Sequence, residues 1–155
     1  MFDTQTLKIV RRAEFPQGSK PWMLRVSPSG KEVWVQTAGG TNNVLDSRTL
    51  EFKDTRTLGR SPVTNAWSPD GRYSLVTHAD DTWVAVMDAR SYKLVKRIDV
   101  GQGGANIAFR PDGRYAYVAV SGANSVAVID MAELELIKHL QAGSQPMGLI
   151  ILPQD

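Results

Sequence analysis

The chain has 155 residues, 42% hydrophobic and 22% charged, with 18 basic against 16 acidic side chains and no cysteine. This is globular composition with enough length for a core; it excludes disulfides and thiolate metal sites, and basic pairs as scattered as Arg11-Arg12 and Lys96-Arg97 do not make the clustered face that nucleic acid demands. No apolar run approaches the roughly 18 residues of a membrane span, and Met1-Phe2-Asp3-Thr4 has neither the basic nor the apolar region of a signal peptide.

In chain order, Phe2-Asp3 reads as the tail of a strand, followed by an outer strand over 6–13. Three repeat units follow, at about 16–57, 58–100 and 101–142, and a lone inner strand is expected over 147–152. Three markers set the repeat. Pro28, Pro69, Pro111 and Pro153 are spaced by 41, 42 and 42 residues; Gly18, Gly59, Gly101 and Gly143 by 41, 42 and 42; Asp3, Asp46, Asp88 and Asp130 by 43, 42 and 42.

Each period holds four short segments rich in Val, Ile, Tyr and Phe and bounded by turn residues. In the third unit they are Asn106–Phe109, Tyr115–Val120, Ser125–Ile129 and Leu134–Leu140. None is long enough for a helical repeat. Between first and second strands, Ser68-Pro69-Asp70-Gly71 and Arg110-Pro111-Asp112-Gly113 have Pro where φ must be near −65° and Gly where it must be positive. Between third and fourth strands, the Asp of Asp46-Ser47-Arg48-Thr49 and of Asp88-Ala89-Arg90-Ser91 is suited to accept backbone N–H groups of its own turn. The second and third strands Tyr115–Val120 and Val126–Ile129 are apolar on both faces, whereas fourth strands such as Leu94-Val95-Lys96-Arg97-Ile98 alternate and carry the charges that protect an outer edge. Four graded strands per unit of this length predict an all-β fold, a β-propeller segment of about three and a half four-stranded antiparallel blades.

The chain begins and ends inside repeats, so it is expected to be the C-terminal half of a longer propeller. Its expected partners are the remaining blades upstream in the parent chain, or a second copy that pairs with it into a closed ring.

Tyr117-Val118-Ala119-Val120-Ser121-Gly122-Ala123-Asn124-Ser125-Val126-Ala127-Val128-Ile129-Asp130 resembles the YVTN-repeat signature of a strand, tight loop and strand ending in Asp. Ser68-Pro69-Asp70-Gly71-Arg72-Tyr73 is similar to the inner turn of that family, and Gly143-Ser144-Gln145-Pro146-Met147-Gly148 to its loop leading into a blade. The first unit departs most, with Ser29 in place of the turn Asp and a loosened Gln36-Thr37-Ala38-Gly39-Gly40-Thr41. The resemblance implies an exported bacterial or archaeal protein, periplasmic or extracellular, acting as a binding or interaction module for a protein or small molecule. Related propellers bind haem d1 or support quinoprotein chemistry, and a lactonase-like hydrolase is a further alternative.

Ligands of such propellers meet the loops leading into first strands and the loops joining second to third strands. In this chain the first set holds Lys20, Arg60, Gln102 and Gln145, and the second holds Asn42-Asn43, His78, Asp80, Asp81 and Asn124. Asn65 and Asn106, near the start of first strands, are expected to face the central channel. His78 beside two carboxylates could be an axial haem ligand or a base whose pKa Asp80 or Asp81 raises; its bland reading is a solvated turn residue. Lys20, Arg25 and Arg60 are candidate partners for haem carboxylates. Trp22, Trp34, Trp67 and Trp83 read as packing residues, with Trp22 and Trp67 in reach of the channel. Two His residues cannot supply a three-His metal site, Gly101-Gln102-Gly103-Gly104 lacks the helix of a phosphate loop, and no nucleophile elbow or Ser/His/Asp set is present.

Overall fold

The computed structural model describes residues 1–152, so the fourth proline marker, Pro153, lies outside the described residues. Three four-stranded antiparallel sheets follow one another along the chain, each ordered as a simple meander. Blade 1 comprises β3 (Pro21–Val26), β4 (Glu32–Thr37), β5 (Thr41–Asp46) and β6 (Phe52–Thr57), after a two-stranded ribbon of β1 (Phe2–Asp3) and β2 (Lys8–Ile9). Blade 2 comprises β7 (Pro62–Trp67), β8 (Tyr73–His78), β9 (Trp83–Asp88) and β10 (Leu94–Asp99). Blade 3 comprises β11 (Gly104–Phe109), β12 (Tyr115–Val120), β13 (Ser125–Asp130) and β14 (Glu135–Gln141). The sole helical element among the described residues is a 3₁₀ turn, Ser121–Ala123.

The turns close by the chemistry of their markers. Gly30, Gly71 and Gly113 have φ of 71°, 69° and 73°, and each N–H donates to the carbonyl three residues back, at 2.9, 2.8 and 2.8 Å. Asp70 and Asp112 accept the N–H two residues on, from Arg72 and Arg114, both at 3.0 Å. Ser29 stands in for that Asp and holds the Lys31 N–H at 3.3 Å, a longer bond from a neutral acceptor. On the third-to-fourth turns, Asp3, Asp46, Asp88 and Asp130 each accept the backbone N–H groups two and three residues on. Each is followed, four residues after the Asp, by a residue in the left-handed region: Leu7, Leu50, Tyr92 and Leu134. Those backbone bonds hold the Asp3, Asp46 and Asp88 carboxyls below the usual carboxylate range.

Second and third strands are the most buried, and the core lies between sheets. Trp34 and Val44 of blade 1, with Leu58 of the connection to blade 2, pack on Val76, Ala85 and Met87 of blade 2, with Trp34 edge-on to Trp67 and Tyr92. Leu75, Val84, Val86 and Ile98 of blade 2 pack on Ile107, Ala116, Val118 and Ile129 of blade 3. At the blade 1–2 seam, Glu32 gathers Lys53 Nζ, Tyr92 Oη and, at 3.2 Å, Trp34 Nε1. Burial pushes the Glu32 carboxyl up, but these three donors outweigh it and hold it below its ordinary value.

Three expectations need correction. No strand forms over 147–152, although its sequence is in phase with the first strands, because strand geometry depends on a hydrogen-bonded neighbour and none lies beside it among the described residues. The outer strand expected over 6–13 shrinks to Lys8–Ile9, matched to its two-residue partner Phe2–Asp3. Asn42 and Asn43 lie inside β5, buried, not in a loop: Gln36 Nε2 donates to Asn42 Oδ1 at 2.7 Å, and Asn43 Nδ2 donates to Val35 O at 3.2 Å.

Candidate functional site

The lead-in loops and the second-to-third-strand loops meet at one end of the sheets, as expected. The same backbone bond joins them in every blade: Ala38 N–H to Lys20 O at 3.0 Å, Ala79 N–H to Ser61 O at 2.9 Å and Ser121 N–H to Gly103 O at 2.9 Å. Each acceptor has positive φ, at 49° for Lys20 and Ser61 and 83° for Gly103; Gln145 follows at 48°. Non-glycine residues in this region carry strain of about 1 kcal/mol or more, so these loops are held open by their neighbours.

The polar side chains named from the sequence are mostly engaged in that holding. Arg60 donates its backbone N–H to Asp81 Oδ2 at 2.7 Å and its Nε to Asp81 Oδ1 at 2.9 Å, and its Nη2 reaches Asp80 O. Burial raises the Asp81 carboxyl, but the Arg60 N–H and guanidinium outweigh it and keep the group below its ordinary range. Ser61 Oγ donates to the Asp80 carboxylate. Gln102 Nε2 donates to Ala79 O at 2.9 Å, and the Gln145 N–H donates to Asn124 Oδ1 at 2.9 Å. Lys20 is exposed, without an ion pair among the described residues.

Two of the expected channel residues are placed differently. Asn65 is buried between blades, accepting from Gln36 Nε2 at 3.1 Å and donating to Ser74 Oγ at 3.0 Å. Trp67 packs edge-on against Trp34. Asn106 stays half-buried on β11.

His78 corrects both of its readings. It has no exposed surface, its ring lies 4.2 Å from that of Trp83, and Nδ1 sits 3.2 Å from Trp83 O. A carbonyl only accepts, so Nδ1 carries the proton and Nε2 is left buried without a partner. Burial depresses its pKa, and the opposing influences of the Trp83 carbonyl and Asp81 do not reverse that, so the expected rise does not occur.

The feature missed from the sequence is a cleft of about 210 Å³ between blades 1 and 2, lined by Trp22, Ala38, Ser61, Pro62, Val63 and Ala79. Trp22 is 69% exposed on β3, while Trp34 is wholly buried. The signal was available in the repeat: Trp22, Val63, Ala105 and Met147 occupy one position at spacings of 41, 42 and 42, and a tryptophan there is too large for its neighbours' role.

Residues 33–149 match the family described as Cytochrome D1 heme domain. The chain belongs to that family. Among solved structures, this D1 haem-domain chain is similar to hydrazine synthase of Kuenenia stuttgartiensis, with 27% identity and a TM-score of 0.79, covering 90% of this chain and 41% of that one. It also resembles a candidate 6-phosphogluconolactonase from Bacteroides fragilis, at 22% identity and TM-score 0.69, covering 82% and 40% of the two chains. The U3-55K structure aligns at 17% identity and TM-score 0.76, covering 84% and 42%. The last two likenesses show the β-propeller fold alone. The chain spans about two fifths of each of these structures. No curated protein sequence matches it. No helix among the described residues is long and apolar enough to cross a membrane.

Proposed function

We infer that the chain is a binding module of an exported propeller, a non-catalytic scaffold whose ligand or partner face is the end formed by the lead-in and second-to-third-strand loops. The observation that carries this reading is the apolar cleft at Trp22, open on a face whose other polar side chains mostly tie the loops together. A cleft with apolar walls and few polar groups is the usual form of a small-molecule site. The remaining blades, from the parent chain or from a second copy, would complete the face. The test is a thermal-shift panel of small aromatic and heteroaromatic compounds on the protein and on Trp22→Ala. Compounds that raise the unfolding temperature of the wild type should fail to raise that of the variant; equal shifts in both would refute the reading.

Haem d1 binding is the second reading, favoured by family membership. A haem iron needs an axial donor and its carboxylates need basic partners. Lys20 and Arg25 are exposed cations, suited to carboxylates, but Arg60 is held by Asp81. Neither histidine suits the iron: His78 has its free nitrogen enclosed, and His139 lies on the outer strand β14 with Nδ1 2.9 Å from Ser125 Oγ. Neither histidine therefore fits an axial haem site, and a haem bound by the complete propeller would take its axial ligand from another residue.

A further inference from the structure

We propose that the Trp22 cleft is a site for a single aromatic ring carrying a protonated amine, an arylalkylammonium, with the ring between the blades and the ammonium at Asp80. The inference rests on the binding-face reading above and assigns that face a ligand class.

The two seams between complete blades differ at this end. At the blade 2–3 seam, Gly104 lies so close to β8 that a Cβ would stand 3.3 Å from Thr77 Cβ, and Thr77 Oγ1 donates across the seam to Ala105 O at 2.6 Å. That seam is closed by side-chain-to-backbone contact. At the blade 1–2 seam, Pro62 occupies the position of Gly104, and a cleft of about 210 Å³ opens beside Trp22. A cavity of roughly 150 Å³ accommodates benzene, so one substituted ring fits and a macrocycle does not. The small side chains of Ala38 and Ala79 leave the slot open, and the indole of Trp22 provides a flat wall for stacking.

Charge selects the substituent. Asp80 follows Ala79 of the cleft wall and accepts from Ser61 Oγ of the cleft lining, so its carboxylate stands at the rim. It is exposed and has no ion pair among the described residues, whereas the neighbouring Asp81 is occupied by Arg60. The other charges of these loops are the Arg60 guanidinium, directed at Asp81 and at Asp80 O, and Lys20, exposed on the blade 1 loop. An ammonium beside a free carboxylate and the face of a tryptophan gains a charge-assisted hydrogen bond and a cation–π attraction together.

The test is calorimetric titration with three probes of similar size: phenethylammonium, the neutral 2-phenylethanol and the anionic 3-phenylpropionate. The ammonium should bind tighter than the alcohol by roughly tenfold, and the anion weakest of all. Asp80→Asn, which keeps an oxygen for Ser61, should abolish the preference while leaving alcohol binding unchanged. Trp22→Ala should weaken all three. Equal affinity for the three probes, or a preference that survives Asp80→Asn, would overturn the inference. If no probe binds but Trp22→Ala still removes shifts from the wider panel, the ammonium assignment alone falls; if those shifts are also indifferent to Trp22, the binding-face reading falls with it.

Discussion

His78 shows how a residue type that suggests chemistry can be fixed by packing. Its imidazole is enclosed against Trp83, and the Arg97 guanidinium lies over that indole, 4.4 Å from the ring centroid. A proton on Nε2 would find no acceptor, so the folded chain holds this His neutral. The folded pKa lies below the unfolded value near 6.5, so between the two the unfolded chain binds the extra proton. Stability is then complete above that pH and declines as pH falls beneath it. Chemical unfolding between pH 7 and pH 5 should show this slope, and His78→Gln should lack it. A variant with the same slope would refute the assignment.

The turn aspartates give the opposite case, in which the sequence reading and the contacts agree. Asp88 accepts the Arg90 and Ser91 N–H groups at 3.1 and 2.7 Å and the Ser91 hydroxyl at 2.8 Å. The three bonds favour the ionised form, so their contribution is present above the unfolded pKa and is lost as pH falls through the folded one. Asp88→Ala should lower the unfolding temperature at pH 7, and the deficit should shrink as pH falls through the folded pKa, where the wild-type carboxylate itself takes up a proton. A deficit independent of pH would point to backbone strain instead.

At the scale of the element, the blades were legible because each turn depends on one local residue type. Pro, Gly and Asp recur where φ or a side-chain acceptor demands them, and the four strands per unit follow. The lone strand over 147–152 was not legible, since pairing is a property of the neighbour and not of the segment. The buried Gln36–Asn42–Asn65–Ser74 network was hidden for a related reason: polar residues in blade 1 read as loop until a second polar residue on another blade meets them. Trp22 was named but assigned to packing, since burial is its usual state.

Close approaches between elements yield a graded prediction. A Cβ on Gly59 would lie 2.5 Å from Asp81 Oδ2 and 2.7 Å from the Trp83 ring, whereas one on Gly104 would lie 3.3 Å from Thr77. Gly59→Ala must displace the indole that covers His78, and overpacking of this kind costs about 1–3 kcal/mol. Gly104→Ala needs a shift of a few tenths of an ångström and should cost less. Denaturant midpoints of the two variants check the order; a larger loss at Gly104 would mean that the indole gives way more readily than the Thr77 strand.

For the whole molecule, the governing fact is that the blade cores lie between sheets. Blade 2 has a neighbour on each side, and its second and third strands are almost wholly buried. Blade 1 has none over its first strand among the described residues: Trp22, Leu24 and Val26 of β3 are 69%, 57% and 54% exposed, and a hollow of about 300 Å³ runs along Pro21–Arg25 and Val35. Met147, Ile150 and Leu152 are likewise exposed beyond blade 3. Contiguous apolar surface of this kind drives association, and covering each such side chain contributes roughly 1.5–3 kcal/mol. The 155-residue chain should therefore sediment as a dimer or larger species, and Leu24→Lys should shift it toward monomer by placing a charge in the contact. A monomer that persists at high concentration, with Leu24→Lys sedimenting identically, would mean that β3 tolerates water, and that Trp22 is exposed for its cleft alone.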